Sequence, residues 1–213
     1  MTTRRGCRPL LDEEIEKLSK HYDELIQNDK DQGTQLRDWT LIMFGFYVGS
    51  RISETLSLQV KDVYAFGKVA NEVYFKRANC KGKKRGRVGV LNDECRELLG
   101  RYIKHYGLDQ TPNNGLWFSR KGCLKRSQAT KIMKDVFKAL EFTGKLATHT
   151  CRKTFARKGY ETLKSLPDLK ECLGHSSLDS TLSYISHNNE NINAFLEGLS
   201  FKNSNSVLNS FGI

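Results

Sequence analysis

The chain has 213 residues, room for one full-sized core or two small ones, and its 38% hydrophobic and 28% charged content is ordinary for a globular protein in water. A net charge of +11 favours a polyanionic partner, nucleic acid ahead of an acidic membrane surface, although a merely basic soluble protein also carries such a surplus. The six cysteines are scattered without a CxxC pair or a cysteine–histidine ladder, which argues against structural zinc and a secreted disulfide scaffold, and the start MTTRRGCRPL lacks the apolar core of a signal peptide.

Asp12 is placed to cap a first helix, whose apolar residues Ile15, Leu18, Tyr22 and Leu25 recur at helical spacing. A second helix is predicted over about 35–48. It contains the longest apolar run, residues 39–49, about half of the roughly 20 residues a membrane span requires, so it reads as a buried helix. A third helix starts after Gly49–Ser50 and carries Leu56 and Leu58. Residues 73–78 and 87–91 read as two short strands around CKGKKRG, a glycine-containing turn full of lysine, and so as a basic β-hairpin. Asn92 caps the next helix, which buries Leu98, Leu99, Tyr102 and Ile103 and ends at Gly107. Ser127 caps a helix running to about 142. Further helices cover about 150–162, from Pro167 to Gly174, 177–186 and 190–199, before an Asn/Ser-rich loose tail at 201–213.

Charge follows this organisation. Residues 12–32 carry eight acids against three lysines. Three later stretches are basic: 76–91 and 142–160 contain no acid, and 120–138 hold seven bases against Asp135. One charge run is ordinarily a solvated face. Three on periodic apolar frameworks converge more readily on one phosphate-lined surface.

Four pieces carry chemistry. They are Gly49-Ser50-Arg51-Ile52-Ser53-Glu54, the lysine-rich hairpin, His149-Thr150-Cys151-Arg152, and Leu173-Gly174-His175 with Tyr184 nine residues beyond that histidine. His149 and Arg152, three apart, share a helix face. Gly174 stops one helix, and Ser176 with Asp179 matches a capping box that starts the next, on which Leu178, Leu182 and Ile185 form the expected buried stripe. Tyr184 falls off that stripe by roughly a third of a turn. Arginine forks donate paired hydrogen bonds to phosphate oxygens and stabilise charge that builds in a transition state. A tyrosine hydroxyl needs a neighbouring base or cationic field to act as nucleophile, and histidine or lysine can return a proton to a departing sugar oxygen. Each residue alone has a plainer reading: Arg51 as a surface ion pair with Glu54, His149 as a helix-start residue, His175 as a C-cap, Tyr184 as a half-buried helix tyrosine, Lys81 as a solvated hairpin tip.

Taken in order, the four pieces resemble the signature of the tyrosine recombinases, the phage integrase family, over roughly residues 9–200. The resemblance implies a mainly α fold with a small β-hairpin sheet (α+β), the DNA breaking-rejoining catalytic fold. It implies that Arg51 and Arg152 grip the scissile phosphate and that His149 and His175 hydrogen-bond it and assist proton movement. Lys81 would be the general acid for the 5′-oxygen, with Lys83 or Lys84 as substitutes because the sequence does not fix the turn register. Tyr184 would attack to leave a 3′-phosphotyrosine, and Glu54 would orient an active-site partner. Further DNA contacts are expected from Lys83, Lys84, Arg85, Arg87, Arg120, Lys121, Lys125, Arg126 and Lys153; Arg157 and Lys158 read equally as ordinary surface charge. Two positions depart from the family pattern: Cys151 stands where leucine is expected, and Lys153 where histidine is frequent.

The expected organisation is one catalytic domain over residues 1–200 without an N-terminal clamp domain, or else a fragment of a longer enzyme. The 190–199 helix either packs on its own core or docks on a neighbouring subunit. The expected activity is site-specific recombination on double-stranded DNA, without metal, nucleotide or other cofactor, by a homo-oligomer that is a monomer in solution and a tetramer in the synapse. No membrane partner is expected; the expected place of action is the cytoplasm, on a prokaryotic nucleoid or as a virus- or plasmid-encoded enzyme in its host. A type IB topoisomerase-like or hairpin-forming strand transferase, and a catalytically silent DNA-binding relative, remain as alternatives.

Overall fold

The computed structural model describes residues 6–28, 33–76, 86–175 and 178–182. These residues form a mainly helical body with small antiparallel sheets at its edge, as the sequence leads one to expect. Helix α2, Gln35–Val48, lies at its centre and packs against α1, Asp12–Gln27, α4, Asp93–His105, and α6, Thr148–Leu163. Leu36, Thr40, Leu41, Ile42, Phe44, Gly45 and Val48 are all buried, so α2 is enclosed on most sides, which is what an apolar run without a polar face demands. Among the described residues no helix is long and apolar enough to cross a membrane.

The ends of α1 and α5 differ from expectation. Leu11 occupies the N-cap of α1, and Glu14 reaches back to accept a hydrogen bond from its backbone amide at 2.8 Å. Asp12 sits one position inside the helix, where its carboxylate pairs with Arg157 and Lys158 and ties α1 to α6. Those two bases are therefore engaged within the chain. Helix α5, Arg126–Ala139, is preceded by Lys125 in place of the expected Ser127, and Gln128 accepts from the Lys125 amide at 2.8 Å. The Asn92 cap is as read: its side chain accepts from the Cys95 amide at 3.0 Å.

The hairpin strands are β3, Glu72–Phe75, and β4, Arg87–Val90, paired antiparallel with Tyr74 opposite Val88 and Phe75 opposite Arg87. Two further ladders escape the sequence reading, β1, Tyr64–Ala65, with β2, Lys68–Val69, and β5, Phe118–Ser119, with β6, Gly122–Cys123. Strands of two residues are too short for alternation to register.

The core fixes the short helix α3, Ile52–Leu56, from beneath. Trp117 is stacked on Tyr102 at 5.5 Å, meets the edge of Phe44, and donates its indole N–H to the Thr55 carbonyl at 2.9 Å. Tyr102 donates to the Leu116 carbonyl at 2.6 Å, so both buried aromatic polar atoms are satisfied. Helix α6 approaches α2 closely: a Cβ built on Gly45 would lie 2.8 Å from the Cys151 Cβ. A small side chain at 151 suits this contact, and burial pushes the Cys151 thiol up to about 12. The five cysteines among the described residues are free.

Helix α7, Leu166–Leu173, begins at Ser165, whose hydroxyl accepts from the Asp168 amide, and ends at Gly174 in the left-handed conformation. In α8, Leu178–Leu182, the expected leucine stripe is not buried. Leu178 and Leu182 are 44% and 37% exposed, whereas Thr181 is fully buried, so α8 turns a polar side chain toward the body. Ile185 lies outside the described residues.

Candidate active site

The site begins with Gly49, which ends α2 at φ +59°. A side chain there would meet the Phe155 ring at 2.4 Å, so both backbone conformation and packing call for glycine. The turn that follows leaves Arg51 at the N-cap of α3. Its backbone amide donates to Glu54 at 2.9 Å and its guanidinium donates to the other Glu54 oxygen at 2.8 Å. The expected i,i+3 pair is present, yet it is not a surface pair: the Glu54 side chain is fully buried and that of Arg51 is 16% exposed.

Glu54 also accepts from a second arginine. Arg87 donates two N–H groups to the same oxygen, at 3.1 and 3.2 Å, and a third to the Cys172 carbonyl at 3.3 Å. Its guanidinium lies 4.5 Å from the centre of the Phe75 ring, and its side chain is 8% exposed. Arg87, read from sequence as a DNA contact, is thus turned inward. Period-two alternation places it on the buried side of β4 with Gly89, while Val88 and Val90 face solvent. Burial alone would raise the Glu54 carboxyl, but Arg87, the Arg51 amide and the Arg51 guanidinium outweigh it and hold the group below its ordinary value.

Arg152 is fully buried and joins two distant segments. One N–H group of its fork donates to the Gly49 carbonyl and the other, at 2.8 Å, to the Leu173 carbonyl. These carbonyls stand two residues before Arg51 and two before His175. The guanidinium therefore sets the spacing between the Arg51 and His175 segments.

Gly174, at φ +61°, leads into His175, whose amide donates to the Lys170 carbonyl at 3.1 Å and whose Nδ1 lies 3.0 Å from the Thr181 hydroxyl. His175 as a whole is 5% exposed. Burial foremost, then the charges of Arg152, Arg51 and Arg87, push its pKa down to about 4, against a smaller opposing pull from Glu54. His149, in the first turn of α6, keeps an exposed side chain, yet partial loss of solvent and the charges of Arg152, Arg126, Arg51 and Lys153 also lower its pKa. Both shifts favour the neutral imidazole, because burial and the surrounding positive charge oppose its protonation.

The structure thus brings Arg51, His149, Arg152 and His175 together from three separated stretches of chain, with Arg126 and Lys153 within electrostatic reach of His149. Arg126 and Lys125 are exposed at the start of α5, Arg120 and Lys121 are exposed at the β5–β6 turn, and Lys153 is half-buried on α6. Tyr184, Lys81, Lys83, Lys84 and Arg85 lie outside the described residues, as do the 190–199 helix and the 201–213 tail. Among the described residues no group of three or more His, Cys, Asp or Glu side chains is placed to hold a metal ion. Sequence reasoning missed the inward role of Arg87 and the Thr181 partner of His175. Neither had a signal in the sequence: alternation along β4 would by itself turn the apolar Val88 and Val90 inward and Arg87 outward, the reverse of what is observed.

Comparison with known proteins agrees with this geometry. The family model described as the phage integrase family matches residues 15–191. A probable integrase/recombinase of Bacillus subtilis, YoeC, is 31% identical over 173 residues, covering 80% of this chain and 86% of that protein. The tyrosine recombinase XerH of Campylobacter jejuni is 28% identical, covering 83% of this chain and 48% of its own length, and XerD of Staphylococcus epidermidis is 31% identical, covering 70% and 49%. The chain therefore spans about half the length of these Xer relatives. Among solved structures, XerA recombinase superposes with a TM-score of 0.73 at 20% identity, covering 94% of this chain and 68% of that one. XerH bound to its palindromic difH substrate after cleavage superposes with a TM-score of 0.72 at 24% identity, covering 89% and 52%. The catalytic domain of bacteriophage HP1 integrase, at 0.55 and 18%, is covered over 98% of its length by 93% of this chain. With its motifs in order, its fold shared and its length matched from residue 15 to 191, this chain belongs to the phage integrase family of tyrosine recombinases.

Proposed function

We propose that this chain is a site-specific DNA recombinase that breaks and rejoins strands by transesterification, with Tyr184 as nucleophile. The observation that carries the reading is the tie made by Arg152, which holds the Arg51 and His175 segments at a fixed spacing beside His149. XerH and the Tn1549 transposon integrase, which share the fold, have been solved in complex with DNA.

In the proposed reaction the Tyr184 oxygen attacks the scissile phosphorus and its proton passes to His149, the exposed one of the two imidazoles, while His175 hydrogen-bonds the phosphate. The bond from phosphorus to the 5′-oxygen breaks, and a lysine of the hairpin, Lys81 or one of its neighbours Lys83 and Lys84, protonates that oxygen. Arg51 stabilises the charge on the non-bridging oxygens through charge-assisted bonds, and Arg152, its fork held on the Gly49 and Leu173 carbonyls, adds its positive charge from beneath. The phosphotyrosine ester retains the energy of the phosphodiester, so the reverse attack by a 5′-hydroxyl needs no nucleotide. Exchange between two duplexes requires four strand cuts, and one nucleophile per protomer makes the working assembly a tetramer. Arg120, Lys121, Lys125, Arg126 and Lys153 supply contacts to the DNA backbone.

The test is a suicide DNA substrate whose cleaved product diffuses away. Wild-type protein should accumulate a covalent adduct with chelator present, and Tyr184→Phe should form none while still binding DNA. An adduct that persists in Tyr184→Phe would remove the nucleophile assignment; no adduct from wild type on any recovered target would remove the activity.

A further inference from the structure

We propose that Arg87 is a positioning residue for strand cleavage, which locks the β-hairpin to the phosphate-binding groups by bridging Glu54 and the end of α7. This rests on the recombinase reading above.

Four observations converge on one guanidinium. It donates twice to one Glu54 oxygen, whose partner oxygen holds Arg51. It donates to the Cys172 carbonyl, three residues before His175. It is stacked on Phe75, its cross-strand partner, so the orientation of its fork is set by the sheet. And its stem passes against Gly174: a Cβ built there would lie 2.7 Å from the Arg87 Cδ. The glycine before His175 is therefore required by the passage of Arg87 as well as by its left-handed backbone.

The consequence is mechanical. Arg51 and His175 reach the site on different segments, and Arg87 stands on a third, the strand that continues the lysine-bearing turn. A buried carboxylate shared by two arginines has one low-energy geometry, because rotating Glu54 to favour either partner leaves the other cation buried and poorly paired. Arg87 thus holds Glu54, Glu54 holds Arg51, and the same side chain fixes the end of α7 from which His175 emerges. Lysine at 87 keeps the charge but presents no planar fork, so it cannot serve Glu54 and the Cys172 carbonyl in one geometry.

The experiment measures single-turnover cleavage of the suicide substrate at saturating protein for wild type, Arg87→Lys and Arg87→Gln, with DNA affinity and its salt dependence measured for each change in a Tyr184→Phe background. The expected result is wild-type affinity and salt slope with cleavage slowed on the order of 100-fold in both variants, the size of effect that small misplacements produce. The pH profile separates positioning from general damage. The charged groups around His175 are Arg152, Arg51, Arg87 and Glu54. Arg87→Gln removes a cation and moves the acid limb of the profile to higher pH, whereas Arg87→Lys leaves it in place. Cleavage by Arg87→Gln at the wild-type rate overturns the proposal. So does a loss of affinity with a salt slope reduced by about one, the mark of a direct phosphate contact. Variants that lose binding and cleavage together, with a collapsed melting transition, also overturn it, since Arg87 then serves folding in general. Absence of any adduct from wild type would refute the recombinase reading itself, which the Arg87 variants leave untouched.

Discussion

His175 shows how a single residue is prepared by its surroundings. Its ring is buried against Thr181, and three arginines lie near enough to disfavour its protonated form. The pKa falls from 6.5 to about 4 in the folded chain, so between these values the unfolded state binds a proton that the native state refuses. Stability must then be complete above about pH 6.5 and decline as pH falls toward about 4, with a contribution on the order of 2–3 kcal/mol. Melting temperatures measured from pH 7 down to pH 4.5 should fall more steeply for wild type than for His175→Gln, which has no proton to gain. Parallel slopes in the two proteins would mean that the imidazole is not held neutral by its site.

At the scale of elements, the site depends on where helices end. Helix α2 stops at Gly49 because the left-handed conformation there turns the chain out of the helix and into the cap of α3. Gly49→Ala imposes two costs. The left-handed backbone costs an L-residue about 1–2 kcal/mol, and the clash with the Phe155 ring adds about 1–3 kcal/mol. Denaturant unfolding of Gly49→Ala, Phe155→Ala and the double variant should show a non-additive pair, the second change relieving part of the first. Strict additivity would show that the ring does not set the requirement. Helix α6 is positioned by a similar intimacy: Gly45 and Cys151 let it lie close on α2, and that approach places the Arg152 fork at the Gly49 carbonyl.

Over the whole molecule, charge is segregated. Two acids of the first helix are drawn into internal pairs, Glu14 with Arg8 and Asp12 with Arg157 and Lys158, while the bases at the start of α5 and at the β5–β6 turn stay exposed. A surface built this way binds polyanions with a strong salt dependence, because each phosphate contact releases counterions. Arg126→Gln should weaken DNA binding and reduce the slope of log affinity against log salt by about one. An unchanged slope would take Arg126 out of the interface.

The helical framework, the hairpin strands, the Asn92 cap and the left-handed stop at Gly174 were legible from residue order alone, because each is a local preference written in a few neighbouring residues. So was the membership of Arg51, His149, Arg152 and His175 in one constellation, since their order and spacing are themselves the signal. It took the packing of distant segments to turn Arg87 inward, to engage Arg157 and Lys158 with Asp12, and to bury Thr181 of α8 in preference to its leucines. The first two outcomes depend on partners 33 to 146 positions away in the chain. A guanidinium looks alike in sequence whether its fork meets solvent, phosphate or a buried carboxylate. Which it meets is settled when the segments pack, because burying a charge is tolerable only where a counter-charge arrives with it.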